Sequence, residues 1–254
     1  MTGVDTSINS VDLTMESRFD SDDDYGDDCD LFERVLKEGQ EAKAEEPFFE
    51  CVLNKTALNS EITSFEQLVA NIVSRRLVQS CGSNPDVCPL YLNKSILEAL
   101  QSKEYREKGH LIGRSIQQDA LACVRRDPAC QSVLEVVLFF KGFAALVCHR
   151  AARFFWLFKQ SRFTALWLQS QASAAFGVDI HPLAQIGCGV MLDHATGIVI
   201  GETATIGDGY VLFLTFKKKI YCDSTTFCHI SLMTILIIII KFYYFLTFLF
   251  CFSG

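Results

Sequence analysis

Two short blocks of the sequence combine carboxylates with imidazoles, the side chains best suited to acid–base chemistry. The block at 178–182 contains Asp179, and the block at 192–197 contains Asp193 and His194. A neutral imidazole can remove a proton from a hydroxyl at neutral pH, and a carboxylate on its other nitrogen fixes the tautomer. The two blocks can therefore supply a general base and the group that orients it.

Both blocks lie in a stretch whose apolar residues recur every six positions, at Ile180, Ile186 and Leu192. The same rhythm resumes two residues out of phase at Ile200 and Ile206. A six-residue period fits neither a helix nor a single strand and predicts the stacked coils of a left-handed parallel β-helix, with three hexads to a coil. The two extra residues must bulge outward, so we expect Asp193 and His194 at the surface.

Four segments follow from the rest of the pattern. Residues 1–46 are acidic and are predicted to be disordered, and residues 47–176 have helical apolar periodicity throughout. Residues 177–210 form the partial β-helix, and residues 211–254 form a hydrophobic tail. The predicted fold class is therefore α+β, an N-terminal α-helical domain followed by an incomplete left-handed parallel β-helix.

Charge and cysteine usage exclude several functions. The net charge is −7, but residues 1–50 hold 16 acids and 4 bases, which leaves −7 + 12 = +5 for residues 51–254. A surplus this small does not predict nucleic-acid binding. The 11 cysteines contain no C-x-x-C pair and no histidine at zinc spacing, which predicts reduced thiols and no metal. His110 and His149 are given no chemical role, and His149 is predicted to be structural. An acidic start without an apolar segment predicts a cytoplasmic protein.

The segment from about Asp119 to Gly207 resembles the serine O-acetyltransferases, hexapeptide-repeat acyltransferases of cysteine biosynthesis, and most of all those of plants. The matching pieces are Arg126–Pro128, Lys141–Phe143 with Ala145, Leu146 and Arg150, Val178–Pro182, Leu192–Gly197 and Gly201–Ala204. The two blocks with aspartates fourteen residues apart are the most specific part of this likeness.

The resemblance implies acetyl transfer from acetyl-CoA to the hydroxyl of L-serine, with acetyl-CoA as co-substrate and no other cofactor. It implies His194 as the general base, oriented by Asp179, and gives Asp127 and Asp193 to the ammonium group of serine. An Asp–Pro pair at a helix end is also common for structural reasons alone, which is the alternative for Asp127. The family further implies a trimer-based homo-oligomer.

After Gly209 the sequence departs from the family pattern. The expected further hexads, the Gly-Gly-Thr-Gly-Lys loop, the Arg-His-Pro stretch and the tail that docks O-acetylserine lyase are not found in residues 211–254. Many isoleucines and phenylalanines there are typical of translated intron sequence. Because the docking tail is not found in these residues, we expect no binding to O-acetylserine lyase.

Two alternatives to an active enzyme remain at this point. The chain could be an inactive truncation product that only associates with full-length subunits through its helices. It could also be a tail-anchored membrane form, because residues 230–252 are long and apolar enough to span a bilayer.

Overall fold

The computed structural model describes residues 28–56, 61–80, 89–214 and 220–222. The described helices are α1 (Asp28–Glu45), α2 (Pro47–Thr56), α3 (Phe65–Ser80), α4 (Pro89–Leu100), α5 (Ile112–Arg126), α6 (Val133–Phe139), α7 (Lys141–Leu157) and α8 (Arg162–Phe176). The described strands are β1 (Arg106–Glu107), β2 (His110–Leu111), β3 (Asp179–Ile180), β4 (Gln185–Ile186), β5 (Met191–Asp193), β6 (Val199–Ile200), β7 (Thr205–Ile206), β8 (Val211–Leu214) and β9 (Ile220–Cys222).

Helix α1 corrects the prediction that residues 1–46 are disordered throughout. Leu31 and Val35 lie one helical turn apart and are both buried in the core. The Glu38 carboxylate accepts a hydrogen bond of 2.9 Å from the backbone N–H of Leu134, in the first turn of α6. The acidic composition gave no sign of this helix, because two apolar side chains, Leu31 and Val35, and the hydrogen bond of Glu38 are enough to hold it against the rest of the domain. Residues 1–27 lie outside the described part of the chain.

Helix α7 is the centre of the helical domain. It is apolar on nearly every face and packs against α8, α4, α5 and β5. A helix of that kind is stable only when other elements surround it. Phe143, Phe154 and Phe155 are buried here, so these aromatic residues belong to the core, as expected from the sequence.

A short hairpin interrupts the region that was predicted to be all helical. Strands β1 and β2 pair antiparallel across a two-residue turn at Lys108 and Gly109, whose φ angles are 47° and 88°. Two successive residues with positive φ are the signature of the tight turns that match strand twist. The Lys-Gly dipeptide is the only local signal for it, and helical periodicity on both sides masked it.

The coil region confirms the six-residue period and its interruption. Strands β3, β4 and β5 pair in parallel with β6, β7 and β8, and each partner lies 20 residues further along the chain. Three hexads account for 18 of these residues, and the remaining two are the insertion near residue 194. The stacked residues are Ile180 on Ile200, Ile186 on Ile206 and Leu192 on Leu212, and all six are buried.

The coil extends beyond its predicted end at residue 210. Strand β8 follows the same 20-residue offset, and its antiparallel partner is β9. Leu212 occupies the inward position that the period demands, so the first four residues assigned to the tail belong to the coil. Most of the predicted tail, including the possible membrane span at 230–252, lies outside the described residues. None of the described helices is both long enough and apolar enough to cross a bilayer.

Arg150 joins the helical domain to the coils. Its guanidinium is fully buried and donates to the Asp119 carboxylate at 2.8 and 3.0 Å, and to Glu107 at 3.0 Å. It also donates to the backbone carbonyls of Ile186 and Gly187, at 3.5 and 2.6 Å. One side chain of α7 thereby holds α5, the hairpin and a corner of the first coil.

We expect Arg150→Met to lower the free energy of unfolding by about 3–5 kcal/mol, because it leaves Asp119 buried without its cation and removes one of the two arginines paired with Glu107. Urea unfolding monitored by tryptophan fluorescence measures the change. Arg75→Met is the matched control, since Arg75 is exposed on α3 and, among the described residues, donates to the Asn71 side chain. Its effect should stay within about 0.5 kcal/mol. Equal losses in the two variants would contradict a special role for Arg150.

Candidate active site in the coil insertion

The two inserted residues form a strained outward loop that begins where β5 ends. His194 and Ala195 both have a φ of 52°, a left-handed conformation that costs about 1–3 kcal/mol for residues other than glycine. The His194 side chain is 92% exposed, whereas Ala195 is buried and anchors the loop. The predicted outward bulge is therefore present, and it presents an imidazole to solvent.

The start of α7 supports one side of this loop. Lys141 donates a hydrogen bond from its ammonium group to the hydroxyl of Thr196. A side-chain carbon at Gly142 would overlap the carbonyl oxygen of Leu192 and lie 2.9 Å from its Cβ. Glycine is required because the helix backbone touches the strand backbone. This contact explains in physical terms why a Lys-Gly pair stands there.

The end of α8 supports the other side. Gly177 is the C-cap of α8 and has a φ of 69°. The backbone N–H of Gly197 donates to the carbonyl of Gly177 at 2.8 Å, and the Thr196 methyl group packs against it. The loop that carries His194 is thus tied to a point two residues before Asp179.

Asp179 begins β3, and its carboxylate accepts a hydrogen bond of 2.7 Å from the Gln169 side chain. Among the described residues, no hydrogen bond or ion pair joins Asp179 to His194. The carboxylate near the imidazole is that of Asp193, whose Oδ1 lies 3.9 Å from His194 Nε2. The structure therefore places the predicted pair around one loop without the direct contact expected between them.

Asp127 caps the end of α5. Its carboxylate accepts a hydrogen bond of 2.9 Å from the backbone N–H of Ala129, which is a turn-forming role. The neighbouring Arg126 reaches the coil and donates to the carbonyl of Gly189 at 2.8 Å. Asp127 follows α5 and Asp193 ends β5, so the two predicted serine ligands are held by separate elements.

Two other histidines have structural surroundings. The Nδ1 of His181 accepts a hydrogen bond from the backbone N–H of Leu183 at 3.2 Å, and its ring packs edge-on against Trp156. His149 is buried, and burial lowers its pKa well below the usual value, so its imidazole is neutral at physiological pH. His181 supports the coil and His149 belongs to the core.

Sequence reasoning missed the residues that hold the loop. Gln169 gave no signal, because a glutamine on a helix is ordinary. Lys141 and Thr196 both lie in segments that carried the family resemblance, yet nothing in the sequence showed that they touch each other. Their partners become visible only when α7, α8 and the insertion are brought together.

Comparison with known proteins identifies relatives that share this architecture. Residues 31–148 match the family model described as "Serine acetyltransferase, N-terminal". The chain is 39% identical over 183 residues to "Serine acetyltransferase 1, chloroplastic" of Arabidopsis thaliana, covering 72% of this chain and 54% of that protein. The chain spans about half the length of this curated relative.

Solved structures agree with this result. "Soybean Serine Acetyltransferase Complexed with Serine" has a TM-score of 0.64 and 31% identity, covering 73% of this chain and 71% of the other. "Serine Acetyltransferase- Complex with CoA" has a TM-score of 0.65 and 31% identity, covering 74% of each chain. The stacked six-residue coils place the chain in the class of hexapeptide-repeat proteins. Within that class, the chain belongs to the serine acetyltransferase family, which confirms the resemblance seen in the sequence.

The close contact at Gly142 leads to a test with a definite sign. Gly→Ala in a helix ordinarily stabilises a protein by about 0.5–1 kcal/mol. Here the added carbon meets Leu192, so we expect Gly142→Ala to destabilise the protein by about 1–3 kcal/mol and loosen the insertion. Chemical unfolding gives the sign, and hydrogen exchange at Thr196 and Gly197 reports the loop. A stabilised variant with unchanged exchange would show that the contact is not tight.

Proposed function

We propose that the chain acts as a serine O-acetyltransferase, moving acetyl from acetyl-CoA to the hydroxyl of L-serine to give O-acetylserine for cysteine biosynthesis. The observation that best supports this is the strained insertion that exposes His194 next to Asp193. Left-handed residues other than glycine concentrate at functional sites, where surrounding contacts hold them. The related structures crystallised with serine and with CoA support these two molecules as the substrates.

In this proposal His194 is the general base. Its neutral imidazole takes the hydroxyl proton as the serine oxygen attacks the thioester carbonyl, and a new C–O bond forms. When the C–S bond breaks, the imidazolium returns the proton to the departing sulfur, so the products are O-acetylserine and free CoA. No charge accumulates on the enzyme over a full cycle.

Asp179 is proposed to orient His194 and stabilise its imidazolium. The loop of His194 is tied to Gly177, two residues before Asp179, which supports their working as one unit. Catalytic hydrogen bonds are often long without substrate and tighten when substrate binds. Gln169 holds the Asp179 carboxylate at 2.7 Å, and we assign it as a positioning residue.

Asp127 and Asp193 are proposed to bind the ammonium group of serine, because a carboxylate forms a short charge-assisted hydrogen bond with a cation. The Asp193 side chain is 31% exposed, so it can reach a substrate near His194 while its backbone remains in β5. Asp127 lies at the end of α5, beside the coil corner that Arg126 contacts. The two carboxylates would approach the ammonium group from different elements.

We further propose that the coils wind left-handed and that the chain forms a trimer-based homo-oligomer. The helical domain exposes several large apolar side chains, namely Phe48, Leu90, Tyr91 and Phe163. Exposed apolar side chains of this size are typical of protein–protein contacts. Family membership supports the same arrangement.

The role of His194 is tested by His194→Ala. We expect kcat to fall by about 10²- to 10⁴-fold, the usual contribution of a general base, with a much smaller change in KM for serine. Serine-dependent release of free CoA is measured in the 254-residue chain and in a chimera carrying the coils of the soybean relative after Tyr210. His181→Ala is the matched control for loss of an imidazole in the same region. A His194→Ala chimera that keeps more than half its activity would remove this residue from the mechanism.

The role of Gln169 is tested by Gln169→Ala and Gln169→Glu in the same chimera. Losing one positioning hydrogen bond costs about 0.5–1.5 kcal/mol, so kcat should fall by about 2- to 10-fold in Gln169→Ala. A glutamate would repel Asp179 and should lower kcat further. Ser170→Ala, at an exposed position of α8, is the control and should leave kcat unchanged. Full activity in Gln169→Glu would contradict the assignment.

A further inference from the structure

A second group of reactive side chains lies where the hairpin meets the coils. His110, Cys188 and Asp208 each offer one ligand atom, and these three atoms all lie within 4.8 Å of one another. His110 comes from β2, Cys188 from a corner of the first coil, and Asp208 from the corresponding corner of the second. The group shares no residue with the insertion that carries His194.

Backbone contacts fix the two coil residues relative to each other. The Asp208 carboxylate accepts a hydrogen bond of 2.8 Å from the backbone N–H of Cys188 through Oδ1. The N–H of Gly209 donates to the carbonyl of Cys188, also at 2.8 Å. Cys188 is buried, whereas Asp208 lies at the exposed rim. A thiol and a carboxylate are thus held side by side.

The hairpin brings the third side chain. The tight turn at Lys108 and Gly109 directs the chain back along the coil surface, and the Lys108 ammonium donates to the carbonyl of Ile206 at 2.6 Å. This hydrogen bond fixes the hairpin to the coil at Ile206, two residues before Asp208. His110 follows immediately and lies over the Cys188–Asp208 pair.

The local field favours a cation. The Asp208 carboxylate has an oxygen within 4.8 Å of both the Cys188 sulfur and a ring nitrogen of His110, so it places negative charge beside both side chains. A fixed negative charge at this distance attracts a positive ion. A thiolate and a carboxylate together would carry two negative charges, which balance one divalent cation.

We propose that His110, Cys188 and Asp208 bind one thiophilic divalent cation of the zinc type, which fastens the hairpin to both coils. Sulfur, nitrogen and oxygen donors are the ligands that zinc takes in proteins, with water in the fourth position. Tetrahedral bonds of about 2.0–2.3 Å require donor separations of roughly 3.3–3.8 Å, so the three side chains close in by about 1 Å. On binding, the S–H bond breaks, the Zn–S bond forms, and the proton passes to solvent.

This site departs from the absence of metal expected from the sequence, because its ligands come from three separate segments and not from a short cysteine motif. It has no role in acetyl transfer, and its failure would leave the proposed function intact. Binding displaces one thiol proton, so the apparent affinity for zinc should increase as the pH is raised.

The test is zinc titration of the reduced, metal-free 254-residue protein against a chromogenic chelator, with Co²⁺ as a spectroscopic probe. We expect one equivalent of zinc to be lost in Cys188→Ser, and Co²⁺ to lose its thiolate charge-transfer absorption. Loss of a residue that only hydrogen-bonds a metal ligand weakens metal binding by about 10- to 100-fold. His110→Ala removes a direct ligand and should weaken zinc binding by more than that. Cys130→Ser is the matched control, since Cys130 is a buried free thiol outside the group.

Thermal unfolding with and without zinc distinguishes loss of the metal site from loss of the fold. Zinc should raise the Tm of the original protein and of Cys130→Ser, and leave those of Cys188→Ser and His110→Ala unchanged. Asp208→Asn keeps the acceptor for the Cys188 N–H and removes only charge, so it should weaken binding without loss of fold. Equal zinc affinity and stoichiometry in the original protein, Cys188→Ser and His110→Ala would overturn the proposal. An equal loss in Cys130→Ser and Cys188→Ser would overturn it too.

Discussion

The buried guanidinium of Arg150 is the interaction on which the rest of the structure depends. A buried arginine is tolerated only when its charge is balanced and its N–H groups are all bonded. Here Asp119 and Glu107 balance the charge, and two coil carbonyls complete the five donors. Asp119 in turn accepts from the backbone N–H of Val190, so the same carboxylate binds both the helix and the coil. Burial raises the pKa of Asp119, and the charge of Arg150 and the Val190 N–H oppose that rise, so the pKa lies at about 6.

The same use of cations is repeated along the domain junction. Arg153 donates to the carbonyls of Pro182, Leu183 and Ala184, and Arg126 donates to that of Gly189. Carbonyl groups at the corners of a coil do not all find partners in the next coil, because the chain turns there. Buried carbonyls need donors, and long basic side chains from the helices supply them. The helical domain thereby completes the backbone hydrogen bonding of the coil.

The sequence predicted what depends on local repetition. The six-residue period predicted where the coils and the insertion lie, because a two-residue shift in the spacing of the inward apolar residues can be seen in the sequence. It did not predict α1, because Leu31 and Val35 are sparse in an acidic segment. It also missed the hairpin and the four residues of β8, whose composition differs from the coil but whose register does not. Pairs such as Gln169 with Asp179 join distant elements, and no local pattern encodes them.

His149 and His194 show how burial decides which imidazole can act as a base. His149 lies in the core with Nε2 3.9 Å from a Glu107 oxygen, and burial together with the nearby Arg150 and Arg153 keeps it neutral. His194 is presented to solvent because the coil carries two residues more than its three hexads require, and those residues have nowhere to go but outward. The backbone strain at His194 and Ala195 is held by contacts from α7 and α8. The helical domain therefore acts on the proposed chemistry through the backbone, by maintaining a conformation that the coil alone would not favour.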